Sequence, residues 1–470
     1  MLIAGAEVAG RASMDVRVAD GRIVELAAGL ARAPGEEAIE ARGGALLPGL
    51  HDHHLHLLAL AAAQTSVRCG PPEVQSREQL GRALAEASPV DGWVRGVGYH
   101  ESVAGPLDRD LLDKFLPDRP ARVQHRSGAL WVLNSSGLRR LGLDAFDGGD
   151  AGTRLPGVER DSKGRANGQL LHMDGWLRQR LGARQAPDLS AASRRLARYG
   201  VTGVTDATAR NGPAELAALE AAVASGALRQ RLMVMGGDDL PQPTHPLIER
   251  GPRKIMLAES QLPSFDALIA VVVGAHAAGR PVAVHCVTRA QLVLSVEALR
   301  EAGALRGDRI EHVAVLPPDL LELVAALPLT VVTQPNFVLE RGDAYLVDVE
   351  AGDRPWLYRA AGLVRAGVPL GAGTDAPFGG PDPWAAMRAA VDRRSAAGEA
   401  LGPDEALTPE QALALFTSSP DAPGGASRRL APGEVADLCL LERPWRAARS
   451  SLSSEHVRAS WRAGCPIWSR

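Results

Sequence analysis

The sequence predicts an α/β chain: a (β/α)8 TIM barrel with a small β-sandwich domain built from both termini and an insertion after the first barrel strand. Three observations carry this expectation. The middle of the 470-residue chain alternates short β-rich runs with Ala/Leu/Arg-rich helical runs, the rhythm of a parallel sheet with crossover helices. Eight such β-rich runs can be placed, and eight βα units close a barrel. Both ends lack that rhythm and read as short strands between turns. A doubly wound open sheet is the alternative architecture.

In chain order, Val16-Arg-Val-Ala-Asp-Gly-Arg-Ile-Val-Glu25 alternates around an Asp-Gly turn, a hairpin signal. Residues 37–41 form another short piece, and 433–441 and 457–461 read as strands at the far end. Neither end carries a long amphipathic helix. Residues 1–46 and 428–470 are therefore expected to form one composite β-sandwich beside a barrel spanning 47–427. The candidate barrel strands are 45–50, 201–205, 230–235, 254–257, 281–286, 309–313, 330–334 and 368–374, with helical runs such as 214–225, 291–302 and 318–326 between them. Residues 61–195 depart from the rhythm. They contain Trp93-Val-Arg-Gly-Val-Gly-Tyr-His100, Ala121-Arg-Val-Gln-His-Arg126 and a Gly/Asp-rich segment, 147–157. We read them as an insertion over the barrel mouth that shapes a pocket.

Composition narrows the function classes. A net charge of −3 gives no footprint for nucleic acid or an anionic membrane. No apolar run approaches the roughly 20 residues that cross a bilayer. The start, Met-Leu-Ile-Ala-Gly-Ala-Glu7, reads as a strand, not a signal peptide. Cys69, Cys286, Cys439 and Cys465 lie far apart with no CxxC pair, which fits a reduced, cytoplasmic location. Of 52 Lys and Arg residues only three are lysines, Lys114, Lys163 and Lys254. A lysine retained against such a bias suggests chemistry that arginine lacks.

The chemistry begins in Leu47-Pro-Gly-Leu-His-Asp-His-His-Leu-His56. In a strand, alternation puts Asp52, His54 and His56 on one face and His51, His53, Leu55 and Leu57 on the other. Two imidazoles at i and i+2 can grip one cation from one side. Spacing alone offers two pairs, and the apolar company of Leu55 and Leu57 favours His54 with His56. Lys254 stands near the start of the fourth candidate strand. His285 ends Pro-Val-Ala-Val-His285, His312 ends Arg-Ile-Glu-His312, and Asp375 ends Leu-Gly-Ala-Gly-Thr-Asp375. The C-terminal ends of barrel strands converge on one mouth, so these groups are expected to meet. Imidazoles with carboxylates suit a divalent metal, zinc first, with iron, manganese or cobalt compatible. A neutral lysine amine can add CO2 and become a carbamate that bridges two metals, which a permanently protonated arginine cannot do. His54, His56, the carbamate of Lys254 and Asp375 would hold one ion; the carbamate, His285 and His312 would hold a second. Asp375 would carry the proton from an activated water to the leaving group. The reaction class is metal-assisted hydrolysis of a C–N bond.

Pro48-Gly-Leu-His-Asp52-His-His54-Leu-His56 resembles the Pro-Gly-x-x-Asp-x-His-x-His signature of the amidohydrolase superfamily, and the resemblance selects His54 and His56. Asp118-Arg-Pro-Ala-Arg122, Trp131-Val-Leu-Asn134-Ser, Lys254-Ile-Met-Leu, His285, Ile310-Glu-His312, Asp375-Ala-Pro, Asp382-Pro-Trp384 and Leu407-Thr-Pro-Glu-Gln-Ala-Leu are similar to the N-substituted formamide deformylase-like branch, amidohydrolase family 3. The resemblance implies a metal-bearing barrel with a composite β-sandwich and one or two ions per chain. The expected function is hydrolysis of a small amide, a cyclic amide or an N-acyl or N-formyl compound by metal-activated hydroxide. The alternatives are a mononuclear deaminase, another reaction on the same site, or a non-catalytic metal-binding barrel. Ala258-Glu259, Val287-Thr288-Arg289 and Ser127-Gly128-Ala129 depart from the branch's Asp-Gly, Gly-Asp and Ser-Gly-His. Tyr99, His125, Arg126 and Trp131 are the expected substrate contacts. The expected partner is a small-molecule substrate, with neither nucleic acid nor membrane; a homodimer is left open.

Overall fold

The computed structural model describes residues 1–143, 155–182 and 186–470. Eight parallel strands form the barrel, in sheet order that matches chain order. They are β1 (Leu50–Leu55), β2 (Val201–Asp206), β3 (Arg231–Gly236), β4 (Ile248–Ile255), β5 (Val282–Cys286), β6 (Arg309–His312), β7 (Thr330–Thr333) and β8 (Leu370–Ala372). The sheet closes beyond the ends of β8 and β1, where Asp375 N donates to His54 O and His56 N donates to Ala376 O, both at 2.8 Å. Every residue of β1, β2, β6 and β8 is buried, as strands covered on both faces require. The helices between them follow from local signals. In Arg289–Ala302, Thr288 and Gln291 form a capping box, Leu292, Ser295, Val296 and Leu299 recur at helical spacing on the buried face, and Gly303 ends the run in a left-handed conformation.

Both termini build a second sheet of eight strands. Its order is Cys465–Ser469, Val457–Arg462, Leu438–Leu441, Ala45–Pro48, Leu2–Val8, Arg11–Ala19 and Arg22–Ala27, with Ala38–Glu40 also paired to Leu2–Val8. Ile3, Val16, Ile23, Leu438, Leu440 and Trp461 from its two halves pack into one core. The candidate strand 45–50 is therefore two strands. Ala45–Pro48 lies in the terminal sheet, antiparallel to Leu438–Leu441, and the barrel begins at Leu50. Gly49 stands at the step, where any Cβ would sit 2.3 Å from the Thr202 side chain. The fourth strand starts at Ile248 rather than at Lys254, which places Lys254 next to the strand's C-terminal end, opposite Ala283 of β5.

The barrel and terminal sheet form one compact unit, Met1–Leu57 with Asp188–Arg470; Leu58–Pro187 form another. Residues 188–195, expected in the insertion, instead begin the barrel unit, where helix Ser190–Arg198 buries Ala192, Ser193, Leu196 and Ala197. The second unit has its own six-stranded mixed sheet, ordered Val158–Arg160, Ala166–Leu171, Leu130–Leu133, Ala121–His125, Val94–Tyr99 and Val67–Arg68. Most of the Gly/Asp-rich segment, residues 147–154, lies outside the described residues. Among the described residues no helix is long and apolar enough to cross a membrane.

Candidate metal centre

His54, His56 and Asp375 each offer a ligand-type atom, and those atoms lie within 4.8 Å of one another. Asp375 Oδ1 is 3.1 Å from His56 Nε2 and 3.5 Å from His54 Nε2, without a hydrogen bond of good geometry to either. The His54 ring lies 4.8 Å from that of His312, which in turn lies 4.5 Å from that of His285. Strand ends β1, β5, β6 and β8 thus bring one histidine pair, two single histidines and the aspartate to one end of the barrel.

The other nitrogen of three of these rings is already engaged. His54 Nδ1 contacts the Glu311 carboxylate, His56 Nδ1 is 2.8 Å from Thr208 Oγ1, and His312 Nδ1 is 2.6 Å from Gln334 Oε1. A carboxylate and an amide oxygen accept only, so His54 and His312 carry their proton on Nδ1 and keep the Nε2 lone pair free. Glu311 is in turn matched by Arg309, whose Nε is 2.6 Å from Glu311 Oε1, with both side chains buried. Arg309 Nη2 also donates to His53 O at 3.2 Å. This chain was missed in the sequence. The signal was there: Arg309 and Glu311 are two charges on one face of a run expected to be buried, and buried charges must pair.

Electrostatics favour neutral imidazoles. Burial, helped by the nearby Lys254 charge, holds His54, His285 and His312 well below the ordinary histidine value. Burial likewise lowers the Lys254 amine, although Glu311 and Asp375 pull the other way. The Lys254 side chain is buried, and among the described residues its Nζ has no hydrogen-bond partner. Burial works to raise the Asp375 carboxyl, but the nearby His56 and His54 rings and Arg341 hold it below the usual carboxylate range.

Asp52 takes a different part from its face-mates. Thr374 donates to it through Oγ1 at 2.6 Å and through its backbone N at 3.1 Å, and His54 N donates at 3.1 Å. The carboxylate thus clamps the residue before Asp375 to the strand of His54, while burial pushes its pKa up to about 7. Asp375 and His312 adopt positive φ, +54° and +71°. Such non-glycine conformations cost on the order of 1–3 kcal/mol each and persist where the surroundings impose them.

His51 and His53 meet hydroxyls instead: His51 Nε2 is 2.9 Å from Thr205 Oγ1, and His53 Nε2 is 3.1 Å from Ser418 Oγ. The residues expected to face substrate lie in the Leu58–Pro187 unit. Tyr99 and Trp131 are buried in its hydrophobic clusters, and Trp131 Nε1 donates to Asp174 at 2.8 Å, so packing within the unit accounts for both. His125 pairs with Glu101 at 3.1 Å, and Arg126 follows it at the end of that strand.

The family model described as "Amidohydrolase family" matches residues 37–467. The chain is 25% identical over 472 residues to the N-substituted formamide deformylase of Arthrobacter pascens, covering 88% of this chain and 86% of that protein. Among solved structures, a metal-dependent hydrolase from Pyrococcus horikoshii OT3 superimposes with a TM-score of 0.73 at 20% identity, over 97% of this chain and 100% of that one. The zinc complex of atrazine chlorohydrolase TrzN from Arthrobacter aurescens TC1 superimposes with a TM-score of 0.55 at 14% identity, over 99% and 94%. With a family match spanning nearly its whole length, the chain belongs to the amidohydrolase family.

Proposed function

We propose that this protein is a metal-dependent hydrolase that cleaves the C–N bond of a small amide, a cyclic amide or an N-acyl or N-formyl compound. One observation carries the reading: the ligand-type nitrogens of His54 and His56 and Asp375 Oδ1 converge within a few ångströms, and among the described residues that oxygen has no hydrogen bond of good geometry. A cation is the group whose chemistry fits such a cradle, because the proton of His54 is held on Nδ1 by Glu311 and its Nε2 lone pair faces the Asp375 carboxylate. The fit extends to Lys254, whose amine is buried without a hydrogen-bond partner among the described residues; burial favours the neutral amine, the form that reacts with CO2 to give a carbamate and a proton. His54, His56 and Asp375 would hold one ion, zinc by ligand type, and the carbamate with His285 and His312 a second. A divalent ion there supplies an acidified water and a Lewis acid for the carbonyl oxygen.

The chain's own residues then do three things. Glu311 and Gln334 hold the imidazoles in the tautomer that keeps Nε2 free. Asp52 fixes the backbone of residues 54 and 374, so that the ligands of first and last strand keep one geometry. Asp375, kept ionised by the histidines around it, accepts a proton at its carboxylate and returns it to the leaving nitrogen. The relationship to the formamide deformylase supports an N-formyl or N-acyl substrate.

The test is a screen of N-formyl, N-acyl and cyclic amides with protein loaded with zinc, alongside metal analysis. Turnover that chelation removes, with about two ions per chain falling when CO2 is withheld, is the expected outcome. One ion per chain, indifferent to CO2, would leave Lys254 an ordinary amine. No hydrolysis across the panel would reject the reading.

A further inference from the structure

Helix Asn336–Asp348 follows β7 and is tied to the loop that carries Asp375. Asn336 Nδ2 donates to Thr374 O at 3.0 Å, and Gly380 N donates to Glu340 Oε1 at 3.0 Å. Arg341 stands on the second turn of this helix. Its guanidinium stacks on Phe337, 3.8 Å from the ring centroid, and its Nη2 donates to Phe378 O at 2.8 Å. The Phe378 ring lies 5.3 Å from that of His56. Two contacts therefore hold a cation beside the metal-type ligands, and its charge reaches the Asp375 carboxyl.

Arg341 differs from other arginines of the barrel unit. Arg309 is matched by Glu311, Arg289 by Asp353, and Arg359 by Glu405. Among the described residues Arg341 forms no ion pair, and its Nε and Nη1 make no hydrogen bond. It is half-buried, so its charge is only partly screened. A guanidinium held by stacking, with a free planar edge of N–H donors, is arranged for a carboxylate and loses little side-chain entropy in binding one.

We propose that Arg341 determines specificity in this site and that the substrate is an amide bearing a carboxylate, whose anionic end Arg341 binds while its C–N bond lies against His56 and Asp375. The proposal rests on the hydrolase reading for the second half of that statement, but the anion site stands on its own contacts. An N-acyl amino acid has the required chemistry. Its methyl ester keeps the amide and removes the charge.

The experiment measures binding and turnover separately. Calorimetry on zinc-loaded protein compares N-formyl- and N-acetyl-leucine with their methyl esters, in the wild type, Arg341→Gln and Arg341→Lys. The expected result is a preference for the acids of tenfold or more in the wild type, abolished in Arg341→Gln and partly kept in Arg341→Lys. Where turnover is measurable, the loss in Arg341→Gln is expected in KM more than in kcat. Equal affinity for acid and ester in the wild type overturns the proposal. So does an acid preference that survives in Arg341→Gln, because the carboxylate is then held elsewhere, a metal ion included. If Arg341→Gln fails to fold, the wild-type and Arg341→Lys comparison decides alone. Arg341-dependent acid binding without cleavage rejects the hydrolase reading and leaves the anion site; cleavage of neutral amides without acid preference does the reverse.

Discussion

His51 and His53 have the same spacing as His54 and His56 and lie in the same six residues, yet the two pairs meet different surroundings. The first pair faces hydroxyls, Thr205 and Ser418, which donate or accept as the ring requires. The second pair faces a carboxylate oxygen that cannot donate to either ring, while its Nδ1 atoms are engaged by Glu311 and Thr208. What makes a histidine pair ligand-like is thus less its spacing than the acceptors that neighbouring strands deliver to it. A hydroxyl adapts to whichever tautomer the ring takes; carboxylates on both sides, as at His54, leave a place for a cation.

The comparison breaks most sharply at Asp375. Asp375→Asn is expected to lower kcat by about 10²–10⁴-fold, the usual range for a lost general acid–base group, while the melting temperature stays near wild type. Turnover close to wild type would remove Asp375 from the proposed role. His54→Asn should release metal, read by elemental analysis, whereas His53→Asn should retain it; equal metal loss in both would erase the distinction between the pairs.

A smaller effect is expected one contact away. Glu311→Gln keeps the shape but frees the His54 tautomer and leaves the Arg309 charge uncompensated, so metal affinity should fall about 10–100-fold in competition titrations. Unchanged affinity would make Glu311 a packing residue only.

The pH response follows from the buried imidazoles. In the metal-free protein His54, His285 and His312 bind protons less readily than in the unfolded chain. The unfolded state therefore takes up protons first as pH falls below about 6.5, and stability, complete above that value, declines on acidification. Melting temperatures measured from pH 8 down to pH 5 should fall, and zinc should flatten the curve because metal-bound rings resist protonation. A flat profile without metal would contradict the burial argument. The smallest effect is expected on the outer pair: Ser418→Ala should cost about 1–3 kcal/mol in chemical denaturation, the penalty for an unsatisfied buried polar group, and leave metal content unchanged.

Much of the barrel could be read from the alternation of β-rich and helical runs, because a strand buried on both faces must be apolar and the connecting helices must be amphipathic. Boundaries were less legible. Nothing in Ala45-Leu-Leu-Pro-Gly-Leu50 says that its first half pairs with Leu438–Leu441, since that partner lies at the other end of the chain. Residues 188–195 border the stretch that lacks the strand–helix rhythm, and it is the buried face of their helix that assigns them to the barrel unit. Tyr99 and Trp131 are candidate substrate contacts by their place in the insertion, and in the structure both are buried in its hydrophobic clusters.

The sequence by itself determined the supply of chemistry: four imidazoles, one aspartate and one rare lysine, each beside an apolar run. It determined this because ligand atoms belong to residue types and strand ends to local patterns. Only the tertiary structure decided how each ring is oriented, which carboxylate clamps a backbone and which faces Nε2, and which arginine is left unmatched beside them. Those outcomes depend on contacts such as His54 with Glu311, Asp52 with Thr374 and Arg341 with Phe378, between residues that no local pattern couples.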